Sequence, residues 1–359
     1  MRKPSVEWRT RDKVRVASMS AMRPAINLTS SADLMGWWHK AARKVSPGDL
    51  TWEGRDHLGA KCTILRADGS VEKPETPFSK QSMIEDYGLQ PRDLKSLDAH
   101  ILDVRPSLLV CKRSIVLCTP IARAVITHDK VILLGSDSTN PLVSEAETDE
   151  LVESLVKVMT YLDTVAKISA GTGGPGSKGN FEFRALEAFL ILTIKGFKVV
   201  SEDLHDRVYA IIPQLRFGVS PAELRDLLES KRTIEDCLYS GRALQSAISD
   251  ILGEDEDLVG MYLTDKQKTL TSGAAPRDIE DHQTAELLLE YYERRLDETN
   301  EGAVRLASLL DDIDSNITLV LASTRVRLQN LELQTAISTM VRVKLYYPAK
   351  LGKLNGFET

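Results

Sequence analysis

With 359 residues, 42% of them hydrophobic and 27% charged, the chain can bury the core of one large domain or two ordinary ones without metal or disulfide staples. A net charge of −6 argues against bulk nucleic-acid binding, which needs a basic surface to neutralise phosphates. The 4 cysteines, Cys62, Cys111, Cys118 and Cys237, lie far apart without a C-x-x-C pair, which points away from a zinc site or disulfide framework and toward a reducing compartment.

Residues 1–44 carry ten Lys or Arg against Glu7, Asp12 and Asp33, with frequent serines and no long apolar run. That composition excludes a secretory signal and fits either an Arg-rich organellar transit peptide or a disordered basic tail. Residues 1–57 are read as this leader. Folded structure is expected to begin near Cys62, where "KCTILRADGSV" reads as a strand entering an Asp-Gly turn. "SKQSMIEDYGL" supplies a helix start at Ser79 and a stop at Gly88, and Pro91 suits the first turn of another helix. "SLLVCK", "SIVLC" and "KVILLG" are short runs rich in Val and Ile between charged turns, the pattern of buried strands. "IARAVITHD" between them suits a short helix or a strand equally.

After Thr148 helices take over. "TDELVESLVKVMTYLDTV" predicts a helix capped by Thr148 or Asp149, with Leu151, Leu155, Val158 and Leu162 on one side. A Gly- and Ser-rich stretch follows, then a helix from Phe181 ended by Pro213, and a further helical region opened by Ser220 and Pro221. From Asp281 through Met340 neither proline nor a turn cluster interrupts the apolar repeat of Leu287, Leu288, Tyr291, Leu296, Leu306, Leu309, Leu310, Ile313, Ile317, Val320, Leu321, Leu328 and Leu331. A helix there would be on the order of 90 Å long, the dimension of a coiled coil or stalk rather than of a packed domain. Strands followed by helices make the expected class α+β. No apolar run is long enough to span a bilayer; the one from Ala185 to Val200 is broken by Glu187, Lys195 and Lys198.

Catalytic signatures are missing. "GTGGPGSKG" has its lysine and serine in the wrong order for a phosphate loop and follows a helix rather than a strand, so it reads as a linker. The 6 histidines have no metalloprotease spacing and no G-x-S-x-G elbow occurs. "GEDEDLVG" sets Glu254, Asp255, Glu256 and Asp257 side by side, which suits either a hard divalent cation with water completing its shell or a solvated helix break. "LLDDIDSN", with Asp311, Asp312 and Asp314, has the same two readings.

The segments "YGLQPRDLKSLD", "RPSLLVCKRSIVL", "EFRALEAFL", "EDEDLVGMYLT", "DHQTAELLLEYYERRLDE" and "ASTRVRLQNLELQTAIST" resemble, in order and spacing, successive signatures of the mitochondrial inner-membrane branch of the CorA magnesium-channel superfamily. The resemblance implies an N-terminal α/β domain in the matrix, with a mixed sheet flanked by helices, followed by a long stalk helix leading to a pore in a homopentamer. It divides the chain into a leader (1–57), a matrix domain with a helical hairpin (58–280), a stalk (281–340) and a divergent basic tail (341–359). It implies Mg²⁺ as transported and regulatory ion, the inner membrane as location, and no enzymatic activity. Glu254 to Asp257 become candidate regulatory Mg²⁺ ligands.

Two departures qualify it. The family's stalk runs through an apolar segment to a Gly-Met-Asn motif, whereas this sequence turns at Val341 into "RVKLYYPAKLGKLNGFET", with Arg342, Lys344, Lys350 and Lys353, and Pro348 expected to break the helix. The expectation is therefore a chain without the pore, arising from a gene model or a splicing event, with a soluble isoform that binds full-length subunits as the alternative. Arg325 matches the arginine at the matrix mouth of the pore, or is a solvated stalk residue, and Ala322 stands where relatives carry the acidic ring.

Overall fold

The computed structural model describes residues 62–74, 78–97, 105–134, 145–169, 180–213, 220–273, 275 and 277–354. The leader expected at 1–57 and the glycine-rich stretch 171–179 lie outside the described residues.

Strand β1 (Cys62–Arg66) turns at Asp68 and Gly69 into β2 (Val71–Glu72). Gly69 takes φ 87°, which a side chain would resist, while Asp68 Oδ1 accepts the Ser70 N–H at 2.8 Å. Helix α1 (Lys80–Tyr87) begins where expected: Ser79 Oγ accepts the Ser82 N–H at 3.0 Å, and Gly88 closes the helix at φ 70°. A short α2 (Leu94–Leu97) follows. Next come β3 (Ser107–Val110), β4 (Ile115–Cys118), β5 (Arg123–Ile126) and β6 (Lys130–Leu134). "IARAVITHD" thus supplies a strand, because its turn neighbours pair it with β4 and β6.

The 6 strands form one sheet in the order β2-β1-β6-β5-β4-β3. Every pairing is antiparallel, so the expected mixed sheet is corrected. Parallel neighbours need long crossovers, whereas β3 through β6 follow one another through tight turns. Alternate residues serve two cores. Ile115, Leu117, Ala124, Ile126, Val131 and Leu133 join the large core, while Val116, Val125 and Ile132 pack with Met83, Tyr87, Leu94 and Leu97 of α1 and α2. Helices therefore cover both faces, which is why these strands read as continuous apolar runs.

Helix α3 (Glu145–Ser169) starts earlier than the expected cap at Thr148 or Asp149, since Glu145 and Ala146 are good helix formers. The hydrophobic α4 (Phe181–Ile211) runs through the large core. In α5 (Pro221–Leu252), Ser220 and Glu223 form a reciprocal capping box ahead of Pro221 at the first helical position. Two short helices, α6 (Asp255–Gly260) and α7 (Leu263–Ser272), lead to α8 (Gln283–Leu354), 72 residues long and so about 108 Å.

The first half of α8 lies along α5 and against α4. Its buried seam is Ala285, Leu289, Tyr292, Leu296, Ala303, Leu306, Leu310, Ile313 and Ile317. Leu287, one of the recurring apolar residues, is exposed. At the crossing with α5 the helices approach so closely that a Cβ on Gly241 would collide with the Asn300 amide, while Asn300 Nδ2 donates to Gln245 Oε1 at 2.9 Å. Beyond Ile317 every residue through Val343 is exposed. The helix passes Pro348 and ends at Leu354, so Pro348 does not stop it; its fixed φ is helical, and it forfeits one backbone hydrogen bond.

Gly241→Ala is expected to lower stability by about 1–3 kcal/mol in denaturant unfolding through overpacking. Combining it with Asn300→Ala should cost less than the sum of the single changes, because the removed amide vacates the space the new methyl requires. Additive losses would show that the two residues do not share the crossing.

Candidate functional site

Two regions hold the side chains singled out in the sequence: the turn between α5 and α7, and the exposed half of α8. The turn owes its placement to polar ties. Glu182, fully buried in the first turn of α4, accepts the Thr264 N–H at 3.0 Å and the Thr264 hydroxyl at 2.6 Å. It thereby caps α7, whose own N-cap residue, Tyr262, provides no side-chain cap. Burial raises the Glu182 carboxyl above its ordinary range, and the two Thr264 bonds act against that rise.

A second tie is Arg277. Its Nη1 donates to Asp265 Oδ2 at 2.6 Å and its Nε to the Asp281 carbonyl at 2.6 Å, while the guanidinium sits 3.6 Å from the centroid of the Tyr262 ring. The Tyr262 hydroxyl accepts the Ala285 N–H at 3.3 Å. These contacts fasten the start of α8 to the α6–α7 corner.

The four acids Glu254 to Asp257 are split by this corner. Glu254 and Asp257 line a groove of about 660 Å³ between the end of α5 and the β3 edge of the sheet, where Asp93 and Asp250 join them and Arg92, Arg105 and Lys112 contribute positive charge. Asp255 turns to the other side, its Oδ1 3.7 Å from His282 Nε2, and Glu256 is exposed. Among the described residues no group of three or more His, Cys, Asp or Glu side chains converges to hold a metal ion. One folded chain therefore presents these carboxylates without closing them into a site. Asp93 and Asp250 were missed in the sequence. Asp250 lies in the last turn of α5 and Glu254 caps α6 across a break at Gly253, so no helical periodicity links them, and Asp93 comes from a remote turn; neither carries a signal in the sequence.

Beside the groove, Gly260 lets α6 press on Val110: a Cβ there would come within 2.8 Å of Val110 Cγ1. Lys266 is pushed below the ordinary lysine range by burial, with Asp257 and Cys111 acting in the opposite sense. Cys111 is itself pushed up to about 11 by burial and by Asp93, and so is a thiol at neutral pH.

On α8, Arg325 and Ala322 both stand on the exposed half, clear of the body. Neighbouring Leu319, Val320, Leu321, Val326, Leu328, Leu331 and Leu333 are also exposed. Among the described residues no helix is long and apolar enough to cross a membrane. Asp311 and Asp314 form ion pairs to Lys231, with Asp311 Oδ1 2.6 Å from Lys231 Nζ, which ties α8 to α5 and favours the structural reading of "LLDDIDSN".

Comparison with known proteins places these observations in a family. The family model described as magnesium transporter MRS2-like matches residues 61–325. Similar proteins include the mitochondrial inner membrane magnesium transporter LPE10 of Yarrowia lipolytica, 29% identical over 280 residues, covering 78% of this chain and 58% of the relative. The mitochondrial inner membrane magnesium transporter mrs2 of Aspergillus fumigatus is 29% identical over 281 residues, covering 78% and 44%. The transporter MFM1 of Saccharomyces cerevisiae is 27% identical over 282 residues, covering 78% and 65%. The chain thus spans about half to two thirds of the length of these curated relatives.

The Glu182 shift has a measurable consequence. Its folded-state pKa lies above the ordinary glutamate value, so the folded chain holds this proton more tightly than the unfolded one. The ionised carboxylate opposes folding above the raised pKa, and that penalty disappears as pH falls through it to the ordinary value. Glu182→Gln should remove this component, giving a melting temperature that changes less with pH across the weakly acidic range. Parallel pH profiles for the two proteins would contradict the assignment.

Proposed function

Because the chain belongs to the MRS2-like magnesium transporter family, we propose that it acts in magnesium transport across the mitochondrial inner membrane, as the matrix-facing domain and stalk of a channel subunit. The observation that carries this reading is the family match together with the form of α8: half of the helix packs on the body and the other half projects with its apolar residues uncovered. A lone helix gains nothing from exposed leucines. Their spacing suits packing against neighbouring helices, and a homo-oligomer, a pentamer in this family, would cover them.

In that assembly Arg325 would stand near the mouth of the pore, and Ala322 leaves the acidic position beside it neutral. Glu254 and Asp257, with Asp250 and Asp93 on the same groove, are proposed as one half of a regulatory Mg²⁺ site completed by a neighbouring subunit. Carboxylates brought together from two chains repel each other until a divalent cation bridges them, so metal occupancy would be linked to how closely the subunits approach. Arg92, Arg105 and Lys112 would moderate the repulsion in the absence of metal.

Three measurements test the proposal. Millimolar Mg²⁺ should raise the melting temperature, since a ligand that prefers the folded form stabilises it by about 2.7 kcal/mol at a hundredfold excess over Kd; alanine at Glu254 through Asp257 should abolish the rise. An equal rise in the variant would remove the metal site. Sedimentation should show concentration-dependent association that Leu328→Glu with Leu331→Glu weakens, and a monomer at all concentrations would overturn assembly through the stalk. Mitochondria carrying the chain should differ in matrix Mg²⁺ uptake, followed with a magnesium-sensitive dye, from mitochondria without it. Identical uptake would overturn the transport role.

A further inference from the structure

We propose that His282, Asp255 and Glu286, where α6 meets the start of α8, form a binding site for a zinc ion. None of the three lines the groove, and the site does not depend on the magnesium reading.

The setting of the imidazole is the first observation. His282 directly precedes α8, and its Nδ1 stands 2.7 Å from the Ile279 carbonyl oxygen. A carbonyl only accepts, so Nδ1 carries the proton and, in the neutral ring, Nε2 presents its lone pair. Metal-bound imidazoles use this arrangement, because the bond on the far nitrogen fixes both tautomer and ring before the ion arrives. The side chain is only 14% exposed, so its surroundings hold the ring as well.

What Nε2 faces is the second. Asp255 Oδ1 lies 3.7 Å away and Glu286 Oε2 lies 3.9 Å away. A lone pair turned toward two carboxylates is an unfavourable pairing that a cation between them reverses. A proton on Nε2 would serve one of these oxygens at about 2.7–2.9 Å, and neither stands within that reach. Among the described residues neither carboxylate pairs with a lysine or arginine. Arg277, on the same corner, is engaged by Asp265 and Asp281.

The third is the way the fold holds the donors. His282 and Glu286 are four residues apart at the start of α8 and so share one side of it, while Asp255 comes from the first turn of α6. Arg277 and Tyr262 fasten these two elements together. The three side chains stand open rather than closed on one point. Zinc bonds of about 2.0–2.2 Å at the tetrahedral angle need nitrogen-to-oxygen separations of about 3.4 Å. Both carboxylates are exposed, so each can swing in by the remaining distance of about half an ångström or less, with water completing the shell. Donor chemistry selects the ion. An imidazole nitrogen suits zinc, whereas magnesium prefers oxygen donors and dehydrates reluctantly. Zinc bound here would pin the first turn of α8 to the α6 corner.

The test is isothermal titration of the folded, metal-free whole chain with zinc chloride in millimolar Mg²⁺. At least one zinc ion is expected to bind per chain with magnesium present. His39 and His57 also offer nitrogen donors, so the decisive result is the loss of one equivalent. His282→Gln should abolish that equivalent. Asp255→Asn and Glu286→Gln should each weaken it by more than the about tenfold that losing an outer-shell partner costs. Both carboxylate changes are on exposed side chains, so they decide the matter even where His282→Gln disturbs the start of α8. Undiminished zinc binding by these two variants overturns the proposal, as does a native chain that binds no zinc or releases it to millimolar magnesium. Glu254→Gln with Asp257→Asn, on the groove, should bind zinc as the native chain does while losing the Mg²⁺ melting shift. Loss of the zinc equivalent in that double variant would assign the ion to the groove and overturn the site, so the zinc and magnesium readings fail on different variants.

Discussion

The crossing of α5 and α8 at Gly241 and Asn300 is the constraint on which the remaining geometry depends. The absence of a Cβ at Gly241 lets the two helix backbones close up, and the small Ala285 and Ala303 are buried on the same side of α8. Close approach brings Leu289, Tyr292, Leu296, Leu306 and Leu310 into one seam with the core. A packed seam cannot slide by a fraction of a turn without opening voids. The direction in which the second half of α8 leaves the body is consequently set by contacts made at its beginning.

Polar contacts sharpen that direction at the other end of the seam. Glu182 substitutes for the missing cap of α7, and Arg277 clasps Asp265, the Asp281 carbonyl and the Tyr262 ring. The Glu182 tie joins α4 to α7 across 82 residues of sequence, and both ties use groups that would be costly to bury unpaired. The corner they create divides the acidic run, sending Glu254 and Asp257 to the groove and Asp255 toward His282. The division is what gives the groove its mixed charge: acids from α5, the corner and the α2 turn face cations flanking β3.

Much of the architecture was legible because it rests on local chemistry. Ser79 and Gly88 bound α1 as expected, the Ser220 to Glu223 box opens α5, and the continuous apolar runs of β4 and β6 reflect a sheet covered on both faces. Less legible were features decided at a distance. The pattern of "IARAVITHD" suits helix and strand equally, and only pairing with both β4 and β6 settles it. The antiparallel sense of the sheet follows from turn lengths rather than from composition. Leu287 belongs to the apolar repeat, yet it is exposed while Ala285 and Leu289 are buried, because the register of a helix against its neighbours is a property of both. Of the candidate site, Glu254 and Asp257 were found by their charge, whereas Asp93 arrives from a turn more than a hundred residues earlier.

By itself the sequence determined the order of strands and helices, the α+β class, the family and the uninterrupted helical repeat from Asp281, since caps, periodicity and composition act over a few residues. Tertiary structure decided which side of that helix is covered and where covering stops. Ile317 and Leu319 are equally apolar in sequence, but one is 4% exposed and the other 68%. The difference has one physical cause: Ile317 joins the large core, and beyond it no described element of the body covers α8 to exclude water.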